Sequence, residues 1–222
     1  VTKSAASEPS APAVPEVDLA TRRAGESLEA KVAEARAAGQ RPTFWHKLLL
    51  GNDAISSWEK GLIGEQHVGD SLEKLLGEDS PWTVVHSLPI GARGADIDHV
   101  VVGPGGVFTL NTKRHRGAKV WVKGDTVLVN GQRQPYVRNS RHEASRVGKV
   151  LTQVCGFDVK VRGVVVLDDV AQWDVKEQPD DVRVVSRRML RLWLRTRKRV
   201  FTDEQTAEVG AAVRRGSTWG IT

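Results

Sequence analysis

The residues best suited to chemistry lie in one short stretch. Asp96-Ile97-Asp98-His99-Val100-Val101-Val102 is followed, after Gly103-Pro104-Gly105-Gly106, by Val107-Phe108-Thr109-Leu110-Asn111-Thr112-Lys113. The glycine-proline turn divides the stretch into two strands. A strand's period of two puts Asp96, Asp98, Val100 and Val102 on one face of the first, and Val107, Thr109, Asn111 and Lys113 on one face of the second. Pairing Val102 with Val107 sets Asp98 opposite Asn111 and Asp96 opposite Lys113, and any even slip keeps the polar groups on one side. Two carboxylates, an amide and an ammonium on a face otherwise built of valine are costly to bury unless they bind something. Oxygen donors of this kind suit Mg²⁺, and a neighbouring lysine can hold a phosphate or orient and deprotonate a water. The blander reading of the hairpin alone is a solvated strand start and a charged strand end.

Positioning these groups falls to the elements around them. Ile55, Trp58, Leu62, Leu72 and Leu76 share one side of a helix over Asp53 to Leu76, with Gly77 as its C-terminal cap. Glu65 falls on that same stripe, where a carboxylate needs a partner unless it sits at the stripe's margin or pairs with an arginine. Strands are expected over Trp82 to His86, Ala95 to Val102, Gly106 to Lys113, Lys119 to Val122 and Thr126 to Val129, an antiparallel run whose last member meets the Asn130-Gly131 turn. Ser140-Arg141-His142-Glu143 fits a capping box at the start of a helix running to Cys155 and ending at Gly156. Val161 to Leu167 is a continuous apolar run typical of a strand covered on both faces, and Val182 to Val185 is a second short one. Ser186 and Thr202 suit the caps of two further helices. Before all of these, Glu16 to Ala38 predicts a helix with a thin stripe at Val17, Ala20, Ala24, Leu28 and Val32.

Together, Trp58-Glu59-Lys60-Gly61-Leu62-Ile63-Gly64-Glu65, the Asp96-Ile97-Asp98-His99 strand and Gly106-Val107-Phe108 running on to Lys113 resemble the nuclease-related domain, NERD, over roughly Ala54 to Leu167. The resemblance implies an α/β fold with a restriction-endonuclease-like PD-(D/E)XK core, α-β-β-β-α-β, around a mixed central sheet, here with an added N-terminal helix and C-terminal helices. It implies metal-dependent hydrolysis of phosphodiester bonds, with Mg²⁺ or Mn²⁺ as cofactor and nucleic acid, DNA in preference, as partner. Carried over by position, Glu65, Asp98, Asn111 and Lys113 are the catalytic set, and Asp98, Asn111, Glu65 and, secondarily, Asp96 hold the metal. The departure is Asn111, where the superfamily pattern has Glu or Gln. An amide oxygen coordinates without bringing negative charge, so the alternative is an inactive module of the same fold that binds nucleic acid or a protein partner.

Lys and Arg number 33 against 27 Asp and Glu, a formal charge of +6, and the excess gathers beside the motif. Arg114, Arg116, Lys119, Arg138 and Arg141 are the expected phosphate contacts. From Arg183 to Arg199 eight basic residues occur without one acid, as a solvated face or a phosphate-contacting one. His115, Tyr136 and Trp121 could stack on bases, although aromatic residues in short strands more often pack. His46, His67, His86, His99 and His142 have no zinc-site spacing and read as surface or packing residues.

One cysteine, Cys155, excludes a disulfide framework and a cysteine zinc site. No window nears the ~18 uninterrupted apolar residues of a spanning helix, so no membrane segment is expected and a cytoplasmic home is the default. A homo-oligomer is compatible with all of this. The expected organisation is a disordered tail over 1–15, an N-terminal helix and linker over 16–52, the nuclease-like domain over 53–200 and a C-terminal helix packed on it over 201–222.

Overall fold

The computed structural model describes residues 16–37, 54–77, 79–90 and 96–221. The expected tail over 1–15, most of the linker, His46, Asp53 and Ala95 lie outside the described residues.

Valine-rich runs set the sheet on which everything else packs. Strands β1 (Thr83–Pro89), β2 (Asp96–Gly103) and β3 (Gly106–Arg114) pair antiparallel. The β2–β3 hairpin takes the expected register, Val102 opposite Val107 and His99 opposite Leu110. Strands β4 (Lys119–Lys123), β5 (Thr126–Val129) and β6 (Gln132–Gln134) follow, then β7 (Val161–Asp168), β8 (Gln172–Glu177) and β9 (Val182–Ser186). The central sheet has the order β1-β2-β3-β7-β9, with β7 parallel to both β3 and β9. This is the expected mixed sheet. Val164, Val165 and Val166 of β7 are fully buried, as a strand covered on both faces requires.

The antiparallel run does not continue past β3. After Arg114 the chain leaves for a second, smaller sheet of order β6-β5-β4-β8. Strand β8, which runs parallel to β4, was not legible because Gln172-Trp-Asp-Val-Lys-Glu177 is polar and mostly exposed, with only two apolar residues to mark it.

Helices α1 (Glu26–Ala37), α2 (Ala54–Glu73), α3 (Tyr136–Cys155), α4 (Arg187–Arg195) and α5 (Asp203–Arg214) flank these sheets. The period of two divides the central sheet's core. Val100, Val102 and Val107 pack with Val147 and Leu151 of α3 and with Val209 and Val213 of α5. Val101, Phe108 and Leu110 pack on the other face with Val68 and Leu72 of α2 and Leu190, Trp193 and Leu194 of α4. The order α2, β1, β2, β3, α3, β7 is the α-β-β-β-α-β core, consistent with a PD-(D/E)XK-like fold.

Three helix limits differ from expectation. The single helix over Glu16 to Ala38 is broken, because Gly25 adopts φ +80° and Asp18 caps a separate 3-10 turn at Leu19–Thr21. Helix α2 ends at Glu73, ahead of Leu76. Helix α3 starts at Tyr136, with Pro135 preceding it, so Ser140-Arg141-His142-Glu143 is not a capping box but the helix's second turn. The capping box at Thr202 and Gln205 is present, and Gly156 ends α3 at φ +74°. Ser186 does precede α4, but its side chain makes no capping hydrogen bond.

Ser140 is fully buried because α3 lies directly on β7 there. A Cβ on Gly163 would fall 2.5 Å from Ser140 Oγ and 2.8 Å from its carbonyl oxygen. Gly163→Ala is therefore expected to lever the helix off the strand and lower stability by about 1–3 kcal/mol, read as a shifted urea midpoint with unchanged slope.

Candidate active site

The polar groups of β2 and β3 project on the α3 side of the sheet, at the end where β3 leaves it. Past His99–Leu110 the two strands stop pairing, so the expected Asp98–Asn111 and Asp96–Lys113 pairs do not form; Asp98 Oδ2 instead accepts the Thr112 backbone N–H at 2.6 Å. That bond pins the aspartate beside the Asn111-Thr112-Lys113 segment. Asn111 Nδ2 donates to Glu143 Oε1 of α3 at 2.8 Å. The two remaining oxygens of this pair, Asn111 Oδ1 and Glu143 Oε2, are inaccessible to solvent and lack a hydrogen-bond partner. Lys113 is half-buried, its Nζ 5.4 Å from the centre of the Tyr136 ring. Tyr136 and His115 stack on each other and share a 2.8 Å hydrogen bond.

Glu65 approaches from α2, whose neighbouring Gly64 brings that helix close to β3. A Cβ on Gly64 would lie 3.0 Å from Arg114 Cβ and 3.2 Å from Thr112 Cγ2. Glu65 is 8 % exposed and makes no side-chain hydrogen bond among the described residues. Its pKa is pushed up to about 9, first by burial and then by the Asp98 charge, with Lys113 opposing. Burial also pushes Asp98 up, against the pull of Lys113 and the Thr112 N–H. Glu143 is raised to about 7 by burial, which the Asn111 hydrogen bond only partly offsets. Three carboxylates thus share one region in which the nearby cations, Lys113 first among them, only partly offset the effect of burial. Among the described residues, however, no three His, Cys, Asp or Glu side chains stand close enough to form a ready-made metal cage.

Asp96 is occupied differently from expectation. It pairs across to Pro89 of β1, and its carboxylate meets Lys31 of α1 at 3.0 Å. The N-terminal helix therefore reaches the edge of the site, a contact that no motif announced. Asp168, at the end of β7, is the other buried acid nearby. It accepts from Arg187 at 2.6 Å and meets His67 at 2.8 Å. Burial raises its pKa, but these two partners outweigh burial and hold it low. His67, read from sequence as unremarkable, is thus a partner of that acid, while His86 and His99 form a buried pair at 2.8 Å.

The expected phosphate contacts separate into two groups. Arg114 is bound to Asp169 at 2.8 Å, and Arg141 is tied to both Asp125 and Asp181. Arg116, Lys119 and Arg138 are exposed, and none of them forms an ion pair among the described residues. A cleft of about 420 Å³ leads in beside Arg138, His142 and Arg146 to Asp96 and Glu143.

Glu143 is the residue that the motif reading missed. The signal was present: Ser140, Ala144, Val147 and Leu151 form the buried stripe of α3, and Glu143 falls three after Ser140 and four before Val147, on that stripe. The argument that singled out Glu65 applies here with equal force. Assigning Ser140 to a helix cap concealed it.

Among curated proteins and solved structures, none matches this chain. A family model does, the nuclease-related domain, over residues 60–168. That span runs from within α2, through the β1–β3 hairpins and α3, to the end of β7, and it contains Glu65, Asp98, Asn111, Lys113 and Glu143. Residues 60–168 of this chain belong to the NERD family.

Proposed function

We propose that the chain is a divalent-metal-dependent nuclease that hydrolyses phosphodiester bonds in DNA. The observation that carries the reading is Asp98, held to the Asn111-Thr112-Lys113 segment by the Thr112 N–H, with the buried, unpartnered Glu65 near enough to feel the charges of Asp98 and Lys113. The donor set fits the cation such an enzyme uses: carboxylate and amide oxygens, two of them buried without a donor. Asp98 and Asn111 Oδ1 would hold the ion, with Glu65 and Asp96 around it. When bound, it supplies Lewis-acid polarisation of a phosphate oxygen and a lowered pKa for water.

The chain's own groups do the rest. Lys113, as an ammonium, orients the attacking water and steadies the developing charge on the phosphate. The Thr112 N–H fixes Asp98, so the carboxylate loses little freedom when it engages a ligand. Arg116, Lys119 and Arg138 draw in the phosphate backbone through counterion release.

The test is incubation of linear and supercoiled DNA with the protein in Mg²⁺, Mn²⁺ or EDTA. Nicking that depends on the metal supports the reading. Asn111, which lacks the charge of a carboxylate at its position, favours a second reading, a module that binds without cutting. Salt-sensitive DNA binding with no cleavage in any metal would select that one.

A further inference from the structure

We infer that Glu143 is a metal ligand of this site, supplying from helix α3 the carboxylate that the strand position of Asn111 lacks. The inference rests on reading the site as a metal-dependent nuclease centre, and it removes the main objection to that reading.

The geometry begins with the 2.8 Å hydrogen bond from Asn111 Nδ2 to Glu143 Oε1. An amide at this position is a poor substitute for a carboxylate, but it can do what a carboxylate cannot: donate. By donating, it holds the Glu143 carboxylate one side chain beyond the strand and turns its own Oδ1 away from that bond. What remains is two buried acceptors, Asn111 Oδ1 and Glu143 Oε2, with no donor to either. A carboxylate oxygen in that situation is stabilised only by a proton or a cation.

The charges of Lys113 and Arg146 both act on Glu143, but neither side chain donates a hydrogen bond to its free oxygen. Arg146, one turn along α3, spends its guanidinium on the Ile90 carbonyl at 2.8 Å. Lys31 is bound to Asp96, and Arg141, two residues before Glu143, is bound to Asp125 and Asp181. Glu65 offers an independent sign of the same kind, since it is buried and has no hydrogen-bond partner among the described residues.

With Glu143 counted, the region offers Asp98, Glu143 and Glu65 as carboxylates and Asn111 as a neutral oxygen; the three acids do not stand at coordinating distance of one another here, so a bound ion would have to draw them in. The formal charge is the same as that of a site with a glutamate on the strand. The acid has moved from strand to facing helix, and the asparagine marks the place it left. The cleft of about 420 Å³ that reaches Glu143 gives a ligand a way in.

The experiment is calorimetric titration of Mn²⁺ into wild type, Glu143→Gln, Asn111→Glu and the double variant Asn111→Glu/Glu143→Gln, each checked for folding by circular dichroism. Glu143→Gln is isosteric and removes a buried charge, so it is expected to fold. It is expected to weaken Mn²⁺ binding by at least about tenfold, and the double variant to recover it, because the carboxylate is then restored to the strand. In wild type, substoichiometric Mn²⁺ should broaden the NMR signals of α3 around Glu143, a readout that needs no variant. Wild-type affinity in Glu143→Gln, no recovery in the double variant, no broadening on α3, or no Mn²⁺ binding by wild type would each overturn the assignment.

The outcomes separate from those of the parent reading. Mn²⁺ bound through Glu143 without any DNA cleavage keeps the ligand and removes the nuclease. Cleavage undiminished in Glu143→Gln with unchanged Mn²⁺ affinity does the reverse.

Discussion

Lys113→Ala is expected to slow metal-dependent DNA cleavage by about 10²–10³-fold, the range for removing one positioned charge-stabilising donor. Asp98→Asn should slow it at least as much, because it removes charge from the oxygen set while leaving the strand intact. The two variants should differ in a second measurement. Lys113→Ala removes an ammonium that does not coordinate, so Mn²⁺ affinity should hold or rise slightly as a repelling charge is lost. Asp98→Asn should lower that affinity. Neither should alter the slope of DNA affinity against salt by more than about one phosphate contact, since Arg116, Lys119 and Arg138 remain. Cleavage by Asp98→Asn at the wild-type rate would place the chemistry elsewhere in the chain.

The second large effect concerns stability. Glu65 and Glu143 have folded-state pKa values raised to about 9 and about 7. For a carboxylate raised in this way, the folded state holds its proton more tightly than the unfolded chain does. Its contribution is therefore fully present below the unfolded value of about 4.5 and is lost as pH rises through the folded one. Without metal, the protein is expected to lose stability progressively between pH 4.5 and 9, by an amount on the order of a few kcal/mol once relaxation and water entry are allowed for.

Asp168 has the opposite sign. Its pKa is held low by Arg187 and His67, so its contribution is present above the unfolded value of about 3.8 and lost as pH falls below it. A cation on the site oxygens should cancel the alkaline loss. The Tm increase produced by Mn²⁺ should therefore be larger at pH 8 than at pH 5, which a thermal melt series with and without EDTA reads directly. Equal increments at both pH values would mean that the ion binds away from Glu65 and Glu143.

The hairpin was legible because two local rules agree on it. The glycine-proline turn fixes where the strands separate, and the period of two fixes which side chains share a face. The register from Val102–Val107 to His99–Leu110 followed from these. What the sequence obscured came from contacts between elements distant in the chain. Nothing near Lys31 signals Asp96, which lies 65 residues away, and nothing near His67 signals Asp168. Glu143 was hidden by a competing local signal, since Ser-x-x-Glu is both a helix start and, in this chain, two adjacent positions on a buried stripe. Pro135 decided between them by fixing the first turn five residues earlier.

The family span and the folding unit of this chain are not the same. Strand β7 closes the matched region at Asp168, yet it pairs on one side with β3 and on the other with β9, residues Val182–Ser186. A fragment cut at residues 60–168 would keep Glu65, Asp98, Asn111, Lys113 and Glu143 but strip one flank of a strand that includes Val164, Val165 and Val166, leaving a row of bare amides and carbonyls open to other chains. It would also lose Arg187, the counter-ion of buried Asp168. The portion that matches the family is thus completed by elements outside it: β9 covers the flank of β7, and Arg187 covers the charge of Asp168.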